Sequence, residues 1–359
     1  MGSNTFHGDK LRLARLLNGY TQQKLGELVS TTRQYIHQLE SDLKLPADDV
    51  LAALCESLKV TESFFGKPLG NDVKLEQCHF RKRKTTPVGL ANRVLAYSTI
   101  FEEFIKFLQN HLEFPLPNFP EVDQQEGPYT NHQIERLAER CRKQWGLGID
   151  TPIKSIINVL ENQGVIITEY VGVSDKVDAL SVNRKFPMIV RNNAKESVCR
   201  KRFDLAHECG HFVLHEGIET GDNVSEQEAD KFASAFLFPR VAFDKEFPNF
   251  SHVTRLNWPK IYELKIRWGM SARAIIYRAN YLKRITAQQY RSANVYLNRS
   301  GQSKVEQLDD IIAPENPTLL VKSVRLLQDH LGISFNDIAD ELGVDPSLLT
   351  TITGISAHQ

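Results

Sequence analysis

The sequence predicts an α+β protein, mostly α, and three observations carry that expectation. Apolar residues recur at helical spacing along most of the 359 residues, in stretches opened by Ser, Thr or Asp and closed by Gly. Strand-like runs are confined to one region, Val165–Val171, Asp178–Val182 and Pro187–Asn192. A helical run containing His207-Glu208-Cys209-Gly210-His211 follows those strands directly. Punctuation by Pro, Gly and charge runs divides the chain into residues 1–70, 71–128, 129–250 and 251–359.

Residues 1–70 read as a bundle of five short helices. Leu11, Leu13, Ala14, Leu16 and Leu17 mark the first. Thr21 caps a second, with Leu25, Leu28 and Val29 inward, and Thr32 caps a third, with Ile36 and Leu39 inward. A fourth runs from Ala47 to Leu58, and a fifth follows Thr61. Two helices joined by a tight link, the second opening with amide and basic side chains, fit a helix-turn-helix. Gln and Arg can pair bidentately with adenine and guanine edges, each pair worth ~1–3 kcal/mol of discrimination. Gln22 and Gln23 stand where an amide and backbone N–H groups can clamp a phosphate. Arg33, Gln34, Tyr35, His37 and Gln38 are the candidate groove-facing residues. A helical protein-binding module is the competing reading, since acids and bases balance within this part. The run Arg81-Lys82-Arg83-Lys84 can track phosphates or serve as a solvated linker.

Within 71–128, residues 88–112 carry a long apolar stripe, including Val94, Phe101, Phe104 and Leu108. Such a connecting helix suits packing or homodimerisation, and helix-turn-helix proteins often need a dimer to span two half-sites. Pro115, Pro117, Pro120 and Gly127-Pro128 then mark a linker.

Two helices, Ile134–Trp145 and Ile153–Asn162, open the third part. The strands that follow can offer an edge to an extended peptide. Then comes the His-Glu-x-x-His helix. Four residues are little more than one helical turn, so His207 and His211 share a face and can hold one Zn²⁺. Glu208, beside the first ligand, can act as a general base toward a water at the metal. Downstream, Ser225 is the expected N-cap of another helix. Glu226 and Asp230 lie one turn apart on it: Glu226 can complete a His₂Glu set, and Asp230 can accept a histidine N–H. Glu228 points elsewhere; His215 continues the i, i+4 series and could approach the metal, but a helix-end histidine near solvent is the favoured reading. No oxyanion partner is singled out; Tyr170, His215 and Arg278 have suitable chemistry.

In 251–359, helices at Ile261–Trp268 and Ala272–Leu282 flank Gly269-Met270-Ser271 in a helix-turn-helix shape. Leu319–Leu331, Phe335–Leu342 and Ser347–Ile352 repeat it. Asp337, Asp340 and Glu341 stand where phosphates would lie, which favours packing or partner binding over DNA.

Composition narrows the class. Net charge is zero, so nucleic-acid binding must rest on a local patch. Five scattered cysteines without C-x-x-C pairs argue for a reducing compartment. With no apolar stretch of membrane length and no signal-peptide pattern, the chain reads as cytoplasmic and without membrane contact.

Two family resemblances attach to these residues. Tyr20-Thr21-Gln22-Gln23-Lys24-Leu25-Gly26-Glu27-Leu28, then Ile36-x-x-Leu39-Glu40 and Pro46, resembles the Xre/Cro-type DNA-binding domains, with Ser30 where such domains commonly place Gly. Arg200-Lys201-Arg202-Phe203 leading into Ala206-His207-Glu208-Cys209-Gly210-His211, then Glu226-x-x-Ala229-Asp230-x-Phe232-Ala233 and Pro239, resembles the ImmA/IrrE metallopeptidases over roughly residues 130 to 300. Asp204 departs from that pattern, which more often has a small or hydroxylated residue there. The resemblance implies a zincin-like domain with Glu226 as third zinc ligand and a transcriptional repressor as protein substrate. The expectation is a regulator of double-stranded operator DNA that is also a zinc metallopeptidase, in stress-response, prophage or mobile-element control. Two alternatives stay open: a non-proteolytic regulator with a structural or sensory zinc, and one half of a toxin–antitoxin or phage-defence pair.

Overall fold

The structure is a computed structural model that describes residues 5–70, 78–80, 88–122, 127–169, 179–182, 186–191, 197–218, 222–248 and 256–355. Five helices open the chain: α1 (Gly8–Leu17), α2 (Gln22–Leu28), α3 (Arg33–Glu40), α4 (Asp48–Leu58) and α5 (Glu62–Gly66). Thr21 accepts from the Lys24 N–H and Thr32 from the Tyr35 N–H, so both caps of the helix pair form as the sequence suggests. The turn between them closes through the Thr31 N–H on the Gly26 carbonyl at 2.7 Å. Ser30 adopts φ +54°, the left-handed conformation that glycine usually supplies after a helix. Gly26 is needed for another reason: a Cβ there would lie 3.0 Å from the Thr31 carbonyl oxygen and 3.1 Å from the Thr32 carbonyl carbon. Leu28, expected inward, is 43 % exposed, because the core is already closed by Leu25 and Val29.

α6 (Val88–Gln109) runs from this bundle through the middle of the molecule. Its stripe, Val94, Ile100, Phe101, Phe104, Ile105 and Leu108, is covered by the chain's own helices. Of the two uses expected for this stripe, packing or homodimerisation, the structure shows packing within the chain. Arg93 ties α6 to α1 by donating to the Leu17 carbonyl at 3.0 Å.

α7 (Asn131–Gln144) and α8 (Ile156–Asn162) precede a four-stranded mixed sheet. Its strands are β1 (Cys78–Phe80), β2 (Ile166–Glu169), β3 (Ala179–Val182) and β4 (Met188–Arg191), in the order β1-β3-β4-β2. β2 and β4 are parallel, with Ile167 opposite Ile189; β3 is antiparallel to both β4 and β1. The edge strand β1 comes from the connection after the N-terminal bundle and had no signal in the sequence. The basic run Arg81–Lys84 and Tyr170 lie outside the described residues.

The strand period of two splits the sheet between two apolar cores. Ile167 and Ile189 face a core shared with α7, α8, α9 (Val198–Leu214), α10 (Asn223–Leu237), α11 (Arg240–Glu246), α12 (Trp258–Trp268), α13 (Ala272–Tyr281) and α14 (Ala287–Arg299). Ile166, Met188 and Val190 face a core shared with the N-terminal bundle, α6, α15 (Leu319–Leu331), α16 (Phe335–Leu342) and α17 (Pro346–Thr353). Residues 256–355 therefore do not share one core: α12–α14 pack on the side of the sheet that holds Ile167 and Ile189, and α15–α17 pack with the N-terminal bundle. Polar contacts fix the second arrangement. Glu161 caps α15 by accepting from the Thr318 and Leu319 N–H groups, and Thr168 donates to the Thr353 carbonyl at 2.7 Å. Val60 and Val344 form an antiparallel bridge, where a Cβ on Gly343 would sit 2.8 Å from the Phe64 backbone. Among the described residues, no helix is long and apolar enough to cross a membrane.

The strained turn gives a stability test. Ser30→Gly is expected to stabilise the N-terminal bundle by about 1 kcal/mol, by removing the left-handed penalty of an L side chain. Slower amide exchange in α2 and α3 is the readout.

Candidate metal centre

The site is built from α9 and α10, which cross closely at Gly210. A Cβ on Gly210 would lie 3.2 Å from the Ala229 Cα and 3.1 Å from the Phe232 ring, so only glycine lets the helices come this near without displacement. α10 begins earlier than Ser225. Asp222 is its N-cap, accepting from the Val224 and Ser225 N–H groups at 2.6 and 3.1 Å. Those bonds hold the Asp222 carboxyl below its usual range. Glu226 consequently sits in the first turn, facing the histidines of α9.

His207, His211 and Glu226 converge. The His207 Nε2 and His211 Nε2 atoms are 3.1 Å apart, and each lies 3.4 Å from a Glu226 carboxylate oxygen. His207 Nε2 faces Glu226 Oε2 and His211 Nε2 faces Oε1; ligands 2.0–2.1 Å from one tetrahedral zinc stand about 3.3 Å apart, so the two ring nitrogens and the carboxylate fit a common zinc ion. Both rings are buried, whereas the Glu226 side chain is 25 % exposed, which leaves access from one side.

Electrostatics favour the ligating protonation states. Burial depresses His211 to about 4, helped by the neighbouring His207 and His215 and opposed by Glu226. Burial works against charge on Glu226, yet hydrogen bonds from His207 and His211 outweigh it and hold the carboxyl well below the usual range. A neutral His211 imidazole and an ionised Glu226 carboxylate at neutral pH are the states in which these groups can ligate zinc.

Surrounding groups orient these three. His207 Nδ1 meets Asp230 Oδ1 at 2.8 Å, the contact the helical spacing implies. Glu208 is 2 % exposed beside His207. Two side chains differ from expectation. His215 is 3 % exposed rather than near solvent, because α9 stays against α10 to its last turn. Its Nδ1 lies 3.0 Å from His211 Nδ1, and its Nε2 lies 2.9 Å from Glu228 Oε2. Glu228 points away from the three-residue cluster, as its spacing implies, and toward His215. Arg278 is fully buried against Glu135 and the Phe238 carbonyl, which removes it as an oxyanion partner. Burial and the nearby Asp230 charge push the hydroxyl of Tyr277 up to about 12. Its helical position on α13 carried no motif.

The DNA-facing candidates lie on α2 and α3. Gln23, Arg33, Gln34 and His37 are exposed; Gln22, Tyr35 and Gln38 are half-buried. Gln22 is partly committed to the fold, donating to Glu40 at 2.8 Å, where Glu40 also pairs with the buried Arg15. The Tyr35 hydroxyl reaches the Leu45 carbonyl at 3.4 Å. Gln22, Gln23, Arg33 and Asn92 of α6 line a cleft of about 530 Å³ beside the start of α2.

Comparison with known families agrees with both halves. Residues 161–280 match the peptidase M78 model, described as an IrrE N-terminal-like domain, and residues 11–65 match a helix-turn-helix model. No curated protein matches the chain. The chain thus joins a helix-turn-helix unit to a metallopeptidase-like unit, and the second extends beyond residue 250 into α12 and α13.

The depressed histidine sets a pH window. His211 in the folded, metal-free protein titrates near 4, against about 6.5 when unfolded, so the unfolded state binds more protons between those values. Stability is therefore greatest above pH 6.5 and is lost as pH falls toward 4. Urea midpoints measured with chelator present should decline across that window, and His211→Gln should flatten the decline; equal slopes would contradict the assignment.

Proposed function

We propose that this chain is a cytoplasmic, DNA-binding transcriptional regulator that carries a zinc-dependent peptidase and cleaves a repressor-type protein. The observation that carries the peptidase reading is the triangle of His207, His211 and Glu226 ligand atoms, open on one side, with Glu208 on the same helix. Zinc held there would supply a Lewis acid that polarises a peptide carbonyl and lowers the pKa of a water. Glu208 takes the proton from the attacking water and delivers it to the leaving amine. Asp230 keeps the His207 Nδ1 proton in place, so that Nε2 is free for the ion. An extended substrate can be held by backbone pairing at a sheet edge, and the edge beyond β3 is formed by β1 of this same chain.

The helix-turn-helix narrows the substrate class. A peptidase joined to a DNA-binding unit acts where regulators are bound, and the family resemblance points to a repressor. Arg33, Gln34 and His37 project from the exposed side of α3 and supply base-edge contacts. The cleft beside Gln22, Gln23 and Asn92 offers amide donors to a backbone phosphate.

Two experiments test these halves. Glu208→Gln should retain zinc and abolish peptide hydrolysis, whereas His207→Ala should lose both. If Glu208→Gln leaves both the partner repressor's cleavage and regulation in cells intact, the peptidase reading fails. Arg33→Ala combined with Gln34→Ala should weaken binding to the chain's own promoter DNA by about 1–3 kcal/mol per lost base contact, measured by fluorescence anisotropy. Unchanged affinity would remove α3 from the interface.

A further inference from the structure

His215 and Glu228 are buried, mutually hydrogen-bonded, and unused by the hydrolytic chemistry. Their geometry leaves little freedom for protons. With His211 Nε2 directed at the metal, the His211 ring proton must sit on Nδ1. That N–H faces His215 Nδ1 at 3.0 Å, so His215 must accept there. The proton of His215 is then on Nε2, which donates to Glu228 Oε2 at 2.9 Å. The second Glu228 oxygen accepts from the Tyr129 backbone N–H at 2.6 Å. The relay is directed at both ends, by the metal on one side and by a buried anion on the other.

We propose that His215 and Glu228 are positioning residues that lock His211 into its Nδ1–H tautomer and aim its Nε2 at the zinc; this rests on reading His207, His211 and Glu226 as the zinc site. The two ligand histidines then receive equivalent support by different routes. His207 meets the carboxylate of Asp230 directly, and that side chain is 34 % exposed. His211 reaches the carboxylate of Glu228 through His215, in a position where the Glu228 side chain is only 6 % exposed. α10 thus contributes one ligand, Glu226, and the terminal acceptor for both histidines. Low local dielectric makes the buried arm the stiffer of the two.

Glu228→Gln tests this with almost no change in shape. One amide oxygen cannot accept from both Tyr129 N–H and His215 Nε2–H. If the amide NH₂ faces His215 instead, His215 is driven to its Nδ1–H tautomer, which confronts the Nδ1–H of His211. Zinc affinity, measured on the full chain by competition with a chromophoric chelator, should fall about 10–100-fold in Glu228→Gln and in His215→Ala. Long-range ¹H–¹⁵N spectra of the zinc-loaded wild type should show His215 protonated at Nε2 and His211 at Nδ1, and Glu228→Gln should change the His215 pattern. Should His215→Ala fail to fold, Glu228→Gln and the wild-type spectra still decide. Wild-type zinc affinity in folded Glu228→Gln, or His215 protonated at Nδ1 in the loaded wild type, overturns the relay alone. A wild-type chain that binds no zinc overturns both the relay and the proposed function.

Discussion

The close crossing of α9 and α10 at Gly210 is the constraint on which the site depends. A side chain at that position would meet the Ala229 Cα and the Phe232 ring at or inside ordinary contact distance. A Cβ there would need its neighbours on α10, the helix that carries Glu226, to give by a few tenths of an ångström. Every group that tunes the ligands is also placed by this crossing, since Glu226, Glu228 and Asp230 stand along the first turns of α10. The apolar side of the same contact, from Leu205 through Phe236, supplies the burial that makes it rigid.

The small sheet does a second job. It is too narrow to form a domain by itself, but it separates two cores and belongs to both. On one side lies the helix pair that carries His207, His211 and Glu226; on the other, a continuous apolar core runs through α6 and α15–α17 to the helix-turn-helix bundle. Two buried arginines brace the first side. Arg278 joins α13 to Glu135 of α7, and Arg202 of α9 pairs with Glu315, whose other oxygen accepts from Ser155 and the Ile157 N–H. Such buried pairs are costly to break, because each would leave an uncompensated charge. The DNA-binding unit and the peptidase-like unit are therefore packed through shared walls rather than strung on a linker.

Much of the site was legible because helical periodicity is a local property. The i, i+4 spacing places His207 and His211 on one face, and the same arithmetic pairs Glu226 with Asp230. The caps Thr21 and Thr32 were readable for the same reason. Errors arose where the answer depended on a partner distant in sequence. His215 looks terminal along the chain, but α10 covers it. The Gln22 amide at the start of α2 also donates to Glu40, a contact that no local pattern signals. Asp222 displaced Ser225 as the cap because a carboxylate can serve two N–H groups at once.

The sequence by itself determined which groups are available: a histidine pair, a glutamate beside it, a carboxylate on the next helix, and a helix-turn-helix with amide and guanidinium side chains. Only the tertiary structure decided which carboxylate serves which histidine, which face of α6 is spent internally, and that α15–α17 return to the N-terminal bundle. The physical reason is range. Turn geometry and capping act over a few residues and are written in adjacent letters. The choice of neighbour for a buried polar group or apolar face instead depends on which distant surfaces fit, as Gly210 against Ala229 and Gly343 against Phe64 show.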